Sequence, residues 1–337
     1  MSTRALTHLR AALGACVLGA ACNGTTSYLD ATGTPGHEEA VLGTWLTGVA
    51  CAVVVLVCIA ILAAVARHRD APTEPAERRE IRSGLSWIYV GISATIVVLL
   101  ATFAGTMVTL NAATHPSKVP SLTMDVTGHQ WWWEVRYSEA AHPGLGFVTA
   151  NEVHLPVGIP VRVRLHAADV IHSFWLPQIA GKTDVIPGQT NEMWVEARRP
   201  GTSQGRCAEY CGLEHAFMTM PVTAESPAQF NQWASARRAD ALRPAESDAQ
   251  NGAVIFARTC GACHAVAGSM ALGRVGPDLT HFASRPYIGA GVLENTSVNL
   301  ARWITDAPGL KEGARMPKIS LDSAQLRSVV AYLETLR

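Results

Sequence analysis

No sign of charge dominates this 337-residue chain: 27 Lys and Arg are matched by 27 Asp and Glu, so the formal net charge is zero. That balance removes any bulk electrostatic reason to bind nucleic acid, and no nucleic-acid partner is expected. Charged residues are also scarce, at 16% against 48% hydrophobic, a composition that leans toward membrane association. Internal repeats and low-complexity tracts are missing, which excludes a solenoid. A disulfide framework is excluded too, despite the even number of eight cysteines. Cys16 and Cys22 lie near the N-terminus, Cys51 and Cys58 inside an apolar run, and the other four form two short motifs around 207–211 and 260–263.

What is present begins with an export pattern over residues 1–22. Arg4 and Arg10 precede a short apolar run and small residues before Cys22. The "GAAC" ending also matches a bacterial lipoprotein cleavage site, which would lipidate Cys22; a plain signal peptide leaving a free cysteine is the other reading. Two uncharged runs follow, over about 41–66 and 87–110. Each reaches the ~20 residues a helix needs to cross a bilayer, and neither shows the polar stripe of a buried soluble helix. A transmembrane hairpin is expected over 38–112. Its connection carries Arg67, Arg69, Arg78, Arg79 and Arg82, so that loop is cytoplasmic and everything from about residue 111 is extracytoplasmic.

From 119 to 225 the pattern changes to short alternating segments with Pro-Gly breaks, such as "VRVRLHA", in which Val161, Val163 and Leu165 alternate with Arg162 and Arg164. That periodicity predicts half-buried strands of an all-β Greek-key sandwich. Residues 226–247 read as a linker, with a helix end at "SARRADAL". Residues 248–337 turn helical, and the last helix is expected to begin at a Ser323 cap and to present Leu326, Val329, Val330 and Leu333 on one face.

Two motifs carry chemistry. "CAEYCGLEHAFM" places Cys207, Cys211, His215 and Met218 within twelve positions. A disulfide would ignore the last two, and zinc has little use for Met218, whereas thiolate, imidazole and thioether together suit copper. A second imidazole is offered by His172 in "DVIHSFW". The other motif is "CGACH", Cys260 to His264, the signature of covalent c-type haem attachment; a zinc or redox cysteine pair shares that spacing. Only two methionines follow His264. Met270 is too near in sequence to reach the opposite face of a haem, so Met316 is the expected second axial ligand of the iron, with His281 as runner-up.

Taken together, "HSFWLPQIAGKTDVIPGQ", "CAEYCGLEHAFM", "GHQWWWEVRY" and the two apolar helices resemble subunit II of the haem-copper cytochrome c oxidases, over about residues 29–224. "NGAVIFARTCGACHAV" with "GRVGPDLTHFASR" is similar to a class I cytochrome c, fused at the C-terminus as in caa-type oxidases. The resemblance implies a multidomain membrane protein: a two-helix hairpin, a cupredoxin-like sandwich and an all-α cytochrome c domain. It further implies a binuclear copper centre of the CuA type. Cys207 and Cys211 would bridge two coppers, His172 and His215 would each cap one, and Met218 and the Glu209 carbonyl would be weak axial ligands. It places magnesium on the Glu209 side chain at the contact with subunit I, and makes Trp131 an exposed aromatic over the copper site where electrons enter. Pro277 would accept a hydrogen bond from His264.

The implied activity is electron input to a terminal respiratory oxidase that reduces dioxygen with proton translocation, in the bacterial inner membrane. The partners implied are subunit I (with haem a and copper), subunit III, an upstream cytochrome c or cytochrome bc complex, and lipid. The input subunit of a copper-containing nitric oxide reductase, or a membrane carrier without a fixed oxidase partner, would use the same ligands. One departure stands out: where such oxidases carry a glutamate for proton uptake before the second membrane helix, this chain has only Glu80, one or two turns away.

Overall fold

The structure is a computed structural model that describes residues 24, 26–67, 77–139 and 142–337, with the backbone alone for 77–83, 139 and 142–145. The export signal with Cys22, the loop 68–76 and the Glu80 side chain lie outside the described residues.

Two long helices come first, α1 (Thr34–Ala66) and α2 (Glu77–Thr114), packed against each other. Both are longer than their apolar runs. Pro35 sits in the first turn of α1, where its missing N–H costs nothing. The added turns dock on the sandwich: Gly36 and Ala40 are buried, and Glu39 Oε1 accepts from the Gly181 amide at 3.2 Å. Beyond that contact the large apolar side chains of both helices stay exposed, including Leu56, Ile61, Trp87, Val97 and Phe103. Both helices are long and apolar enough to cross a membrane.

Ten strands then build two five-stranded sheets. One runs β3-β2-β1-β5-β8 and the other β4-β10-β9-β6-β7. Their ranges are β1 Leu122–His129, β2 Trp132–Glu139, β3 His142–Ala150, β4 Val153–Pro156, β5 Val161–Ala167, β6 His172–Leu176, β7 Ala180–Val185, β8 Asn191–Val195, β9 Gly201–Cys207 and β10 Thr219–Glu225. Strand β1 pairs parallel to β5, and β10 parallel to β4, so the chain crosses between sheets in the cupredoxin-like way. The alternation read from sequence holds. Val161, Val163 and Leu165 face the core, while Arg162 and Arg164 point out toward Glu192 (3.5 Å) and Asp125 (3.2 Å). Trp133 and Phe174 meet edge-on across the two sheets, ring centres 5.4 Å apart, a geometry that adds to plain area burial.

The expected linker contains a helix of its own, α3 (Pro227–Arg237), which starts at a Ser226–Gln229 capping box. The haem-motif domain follows with α4 (Ser247–Thr259), a two-strand ladder β11 (Tyr287–Ile288) and β12 (Leu293–Glu294), α5 (Ser297–Leu310) and α6 (Ser323–Thr335). The Ser323 cap is corrected: Asp322 is the cap, its carboxylate accepting from the amides of Ala324 and Gln325. A carboxylate also complements the helix dipole, which a hydroxyl does not. Val329, Val330 and Leu333 are buried as the periodicity requires. In α5 the helix breaks at Asp306, just before Pro308, and the chain leaves toward the sandwich at Lys311.

Candidate metal centre

Cys207 ends β9 and Met218 directly precedes β10, so one connection between paired strands carries five of the expected donor residues. The Cys207 amide donates to the Met218 carbonyl at 3.0 Å, closing the loop on itself, and the Ala208 amide donates to Ser173 O at 2.9 Å, tying it to β6. His172 opens β6 and is fully buried. Two glycines make the fit possible. A β-carbon at Gly128 on β1 would lie 2.8 Å from the His172 ring, and one at Gly212 would lie 3.0 Å from the Trp131 ring; Gly212 also needs its φ of 118°.

The donors converge. The Cys207 and Cys211 sulfurs lie 3.8 Å apart. His172 Nδ1 is 3.9 Å from Cys207 Sγ, and the Glu209 carbonyl 3.2 Å from it. His215 Nδ1 and Met218 Sδ lie 3.6 and 3.9 Å from Cys211 Sγ. Thus each sulfur has one imidazole and one weaker donor beside it. The nitrogen and sulfur atoms of His172, Cys207 and Cys211 all fall within 4.8 Å of one another.

The protonation pattern suits a metal. The Cys211 thiol hydrogen-bonds to the Cys207 sulfur, which pulls the Cys207 pKa well below that of an ordinary thiol and pushes that of Cys211 up. Burial works against a charged His172 ring, but Cys207 and Asp169 outweigh it and raise its pKa. Asp169 is a residue the motifs did not reveal. Its Oδ1 accepts from His172 Nε2 at 2.9 Å, which turns Nδ1 toward the sulfurs, the usual carboxylate support for a metal-binding imidazole. Burial opposes the charge on Asp169, yet hydrogen bonds from His172, the Gln130 amide and the Val170 amide hold its pKa below the usual range. A carboxylate three positions before a candidate ligand was the available signal.

Glu209 divides its groups. Its carbonyl faces the cluster, while its carboxylate points away, 3.5 Å from Lys182 Nζ. Trp131 lies against the cysteine loop, its indole N–H donating to the Cys211 carbonyl at 3.0 Å, beside Gln130 Nε2 at 2.8 Å. It is not exposed, however. Only 8% of it is accessible, because the haem-motif domain lies over it. Trp133 packs in the core, and Trp132 stacks on His129 with ring centres 4.2 Å apart. A cavity of about 450 Å³ opens at the His215 edge, walled by Arg206, Phe217 and Thr219 on one side and Gly291 on the other.

In the second motif, His264 Nδ1 donates to the Pro277 carbonyl at 2.8 Å, which leaves Nε2 as the nitrogen available to a ligand role. Burial lowers the His264 pKa, which disfavours the charged ring. A β-carbon at Gly276 would sit 2.6 Å from the His264 ring, so this backbone approaches as closely as only glycine allows. Cys260 is partly buried at the end of α4, and Cys263 is exposed. Met316 is half-buried between α5 and α6. His281 is spoken for: its ring nitrogens sit 2.9 and 3.2 Å from the carbonyls of Arg337 and Arg237. Both donor sets therefore fit their groups: soft sulfur with imidazole for copper, and two thiols with an anchored imidazole for haem.

Comparison with known proteins agrees with this division. Residues 145–226 match the family described as cytochrome c oxidase subunit II, periplasmic domain, and residues 249–337 match cytochrome c. The chain is 34% identical to cytochrome c oxidase subunit 2 of Alkalihalophilus pseudofirmus, over 81% of this chain and 80% of that one. It is 32% identical to the protein of that name from Bacillus sp. strain PS3, over 64% and 63% respectively. Among solved structures, the periplasmic domain of subunit II of cytochrome oxidase from Bradyrhizobium japonicum is 32% identical, covering 36% of this chain and 97% of that one with a TM-score of 0.33.

Proposed function

The chain belongs to the cytochrome c oxidase subunit 2 family, and on that premise we propose that it is the electron-input subunit of a caa-type oxidase, passing electrons from its own c-type haem to a binuclear copper centre and on to haem in subunit I. Cys260 and Cys263 would hold the haem covalently, with His264 and Met316 on its iron. Cys207 and Cys211 would bridge the coppers, with His172, His215, Met218 and the Glu209 carbonyl completing them. Such a copper pair supplies one-electron transfer with the charge change spread over two metals. The terminal reaction, reduction of dioxygen to water coupled to proton translocation, takes place in subunit I.

The observation that carries this reading is the pair of buried sulfurs 3.8 Å apart, each flanked by one imidazole and one weak donor. With all of these donors supplied by the protein, a metal pair held here would take its ligands from the chain rather than from a substrate. That is the design of a relay rather than of a catalyst. His172 is locked by Asp169, and the loop is locked by its own backbone bonds, so these residues hold one geometry.

The Glu209 carboxylate, outside the cluster and accessible, is proposed to bind magnesium at the subunit I face, since hard oxygen suits that cation. Two apolar helices with an arginine-bearing connection support anchoring in the bacterial inner membrane, copper and haem domains outside. Subunit III, surrounding lipid and an upstream cytochrome c or cytochrome bc complex complete the proposed partners. Purifying the complex from its native membrane, identifying its haems and measuring oxygen uptake with reduced cytochrome c tests the reading. A complex without covalent haem, or one that consumes no oxygen, would refute it.

A further inference from the structure

Lys311 is 3% exposed although it belongs to no catalytic or ligand motif. A buried ammonium is costly unless its hydrogens are all received. Here they are: Nζ donates to the carbonyls of Trp131 at 2.9 Å, Phe217 at 2.9 Å and Gly289 at 2.7 Å. The first two belong to the copper domain and the third to the haem-motif domain that carries Lys311 itself. Trp131 is the residue covering the copper cluster, and Phe217 precedes the copper donor Met218. Burial lowers the Lys311 pKa to about 8, against the pull of Glu214 and Cys211.

The neighbours of Lys311 repeat the pattern. The Glu312 amide donates to Glu214 Oε1 at 3.0 Å. Gly313, at φ 78°, lies flat against the indole, where a β-carbon would come within 3.0 Å of Trp131 Cη2. Arg315 reaches Asp169 at 3.9 Å. The next residue is Met316. One short segment thus seats itself on Trp131 and on the partner of His172, then runs directly into the proposed haem ligand.

We propose that Lys311 is the positioning residue that latches the haem domain onto the Trp131 face of the copper domain, fixing the two redox sites in one transfer-competent pose. The inference rests on the relay reading for its purpose, and on geometry alone for the latch. Three carbonyls converging from two domains would each lose a buried donor if Lys311 were removed, so the interface rather than either core would loosen.

The test uses the assembled, full-length oxidase with Lys311→Met, and Gly313→Val as a second route to the same interface. Two readouts are taken: amide hydrogen exchange by mass spectrometry, and the haem-to-copper transfer rate after flash reduction. The expected result is faster exchange confined to the segments around 128–134 and 311–316. Haem and copper spectra stay unchanged, and transfer slows by ~100-fold, the scale on which small misplacement of reacting groups costs rate. Unchanged exchange in Lys311→Met overturns the latch. So does exchange that rises throughout the haem domain, which would make Lys311 an ordinary fold residue, and so does a normal rate across an opened interface. If Lys311→Met fails to assemble, Gly313→Val decides by the same criteria. If the wild type shows no haem-to-copper transfer, the relay reading falls, while the exchange data still judge the latch.

Discussion

Two sulfur atoms lie 3.8 Å apart in a buried loop, and the hydrogen bond between them lowers the Cys207 pKa while raising that of Cys211. This makes Cys207 the residue with least latitude. Cys207→Ser replaces a soft bridging donor with a hard one. It is expected to abolish the mixed-valence copper absorption and leave the haem spectrum intact, because His264 and its cysteines lie in another domain; optical spectra and copper analysis of the purified variant check this. Met316 is the corresponding test for iron. Met316→Ala is expected to keep covalent haem, lose the sulfur-to-iron absorption band and show a lower redox potential, as a spectroelectrochemical titration would record. At this scale the sequence was most informative, because Cys207, Cys211, His215 and Met218 are packed into one loop and their chemistry shows in their order. Asp169 was passed over although it stands only three positions before His172. Lys311 was not legible, because it acts through a carbonyl 180 positions away, which no local pattern records.

The elements divide in the same way. Strand alternation in β1 and β5 and the apolar face of α6 were readable, since a period of two or 3.6 needs no knowledge of the partner. The first turns of α1 were not, because their polar sequence "TPGHEEA" is helical only through Pro35 and through docking against β7. In the linker only the end of a helix was readable, at "SARRADAL"; its start was missed although the Ser226–Gln229 pair is a start signal. Helix packing in the haem domain rests on one small residue. A β-carbon at Gly252 of α4 would collide with the Ser328 carbonyl of α6, so the two helices cross at backbone contact. Gly252→Val is expected to force them apart and to prevent stable haem attachment, while the sandwich still loads copper; comparing haem stain and copper content on the same preparation checks this. Loss of copper instead would show that the two domains do not fold independently.

For the whole molecule, the decisive feature is that the haem-motif domain sits over Trp131. The family resemblance implied an exposed Trp131; in the folded chain it is covered by Gly313 and hydrogen-bonded to the cysteine loop. On the proposed relay, fusion of donor and acceptor would replace diffusional encounter with high effective concentration, and docking would fix the approach. The central claim is that the attached haem feeds the copper pair directly. Flash reduction of the haem in the assembled full-length oxidase, followed simultaneously at haem and copper wavelengths, tests it. Haem reoxidation and copper reduction are predicted to share one first-order phase with matching amplitudes, independent of protein concentration. A haem that stays reduced while copper accepts electrons only from an added donor would contradict the account.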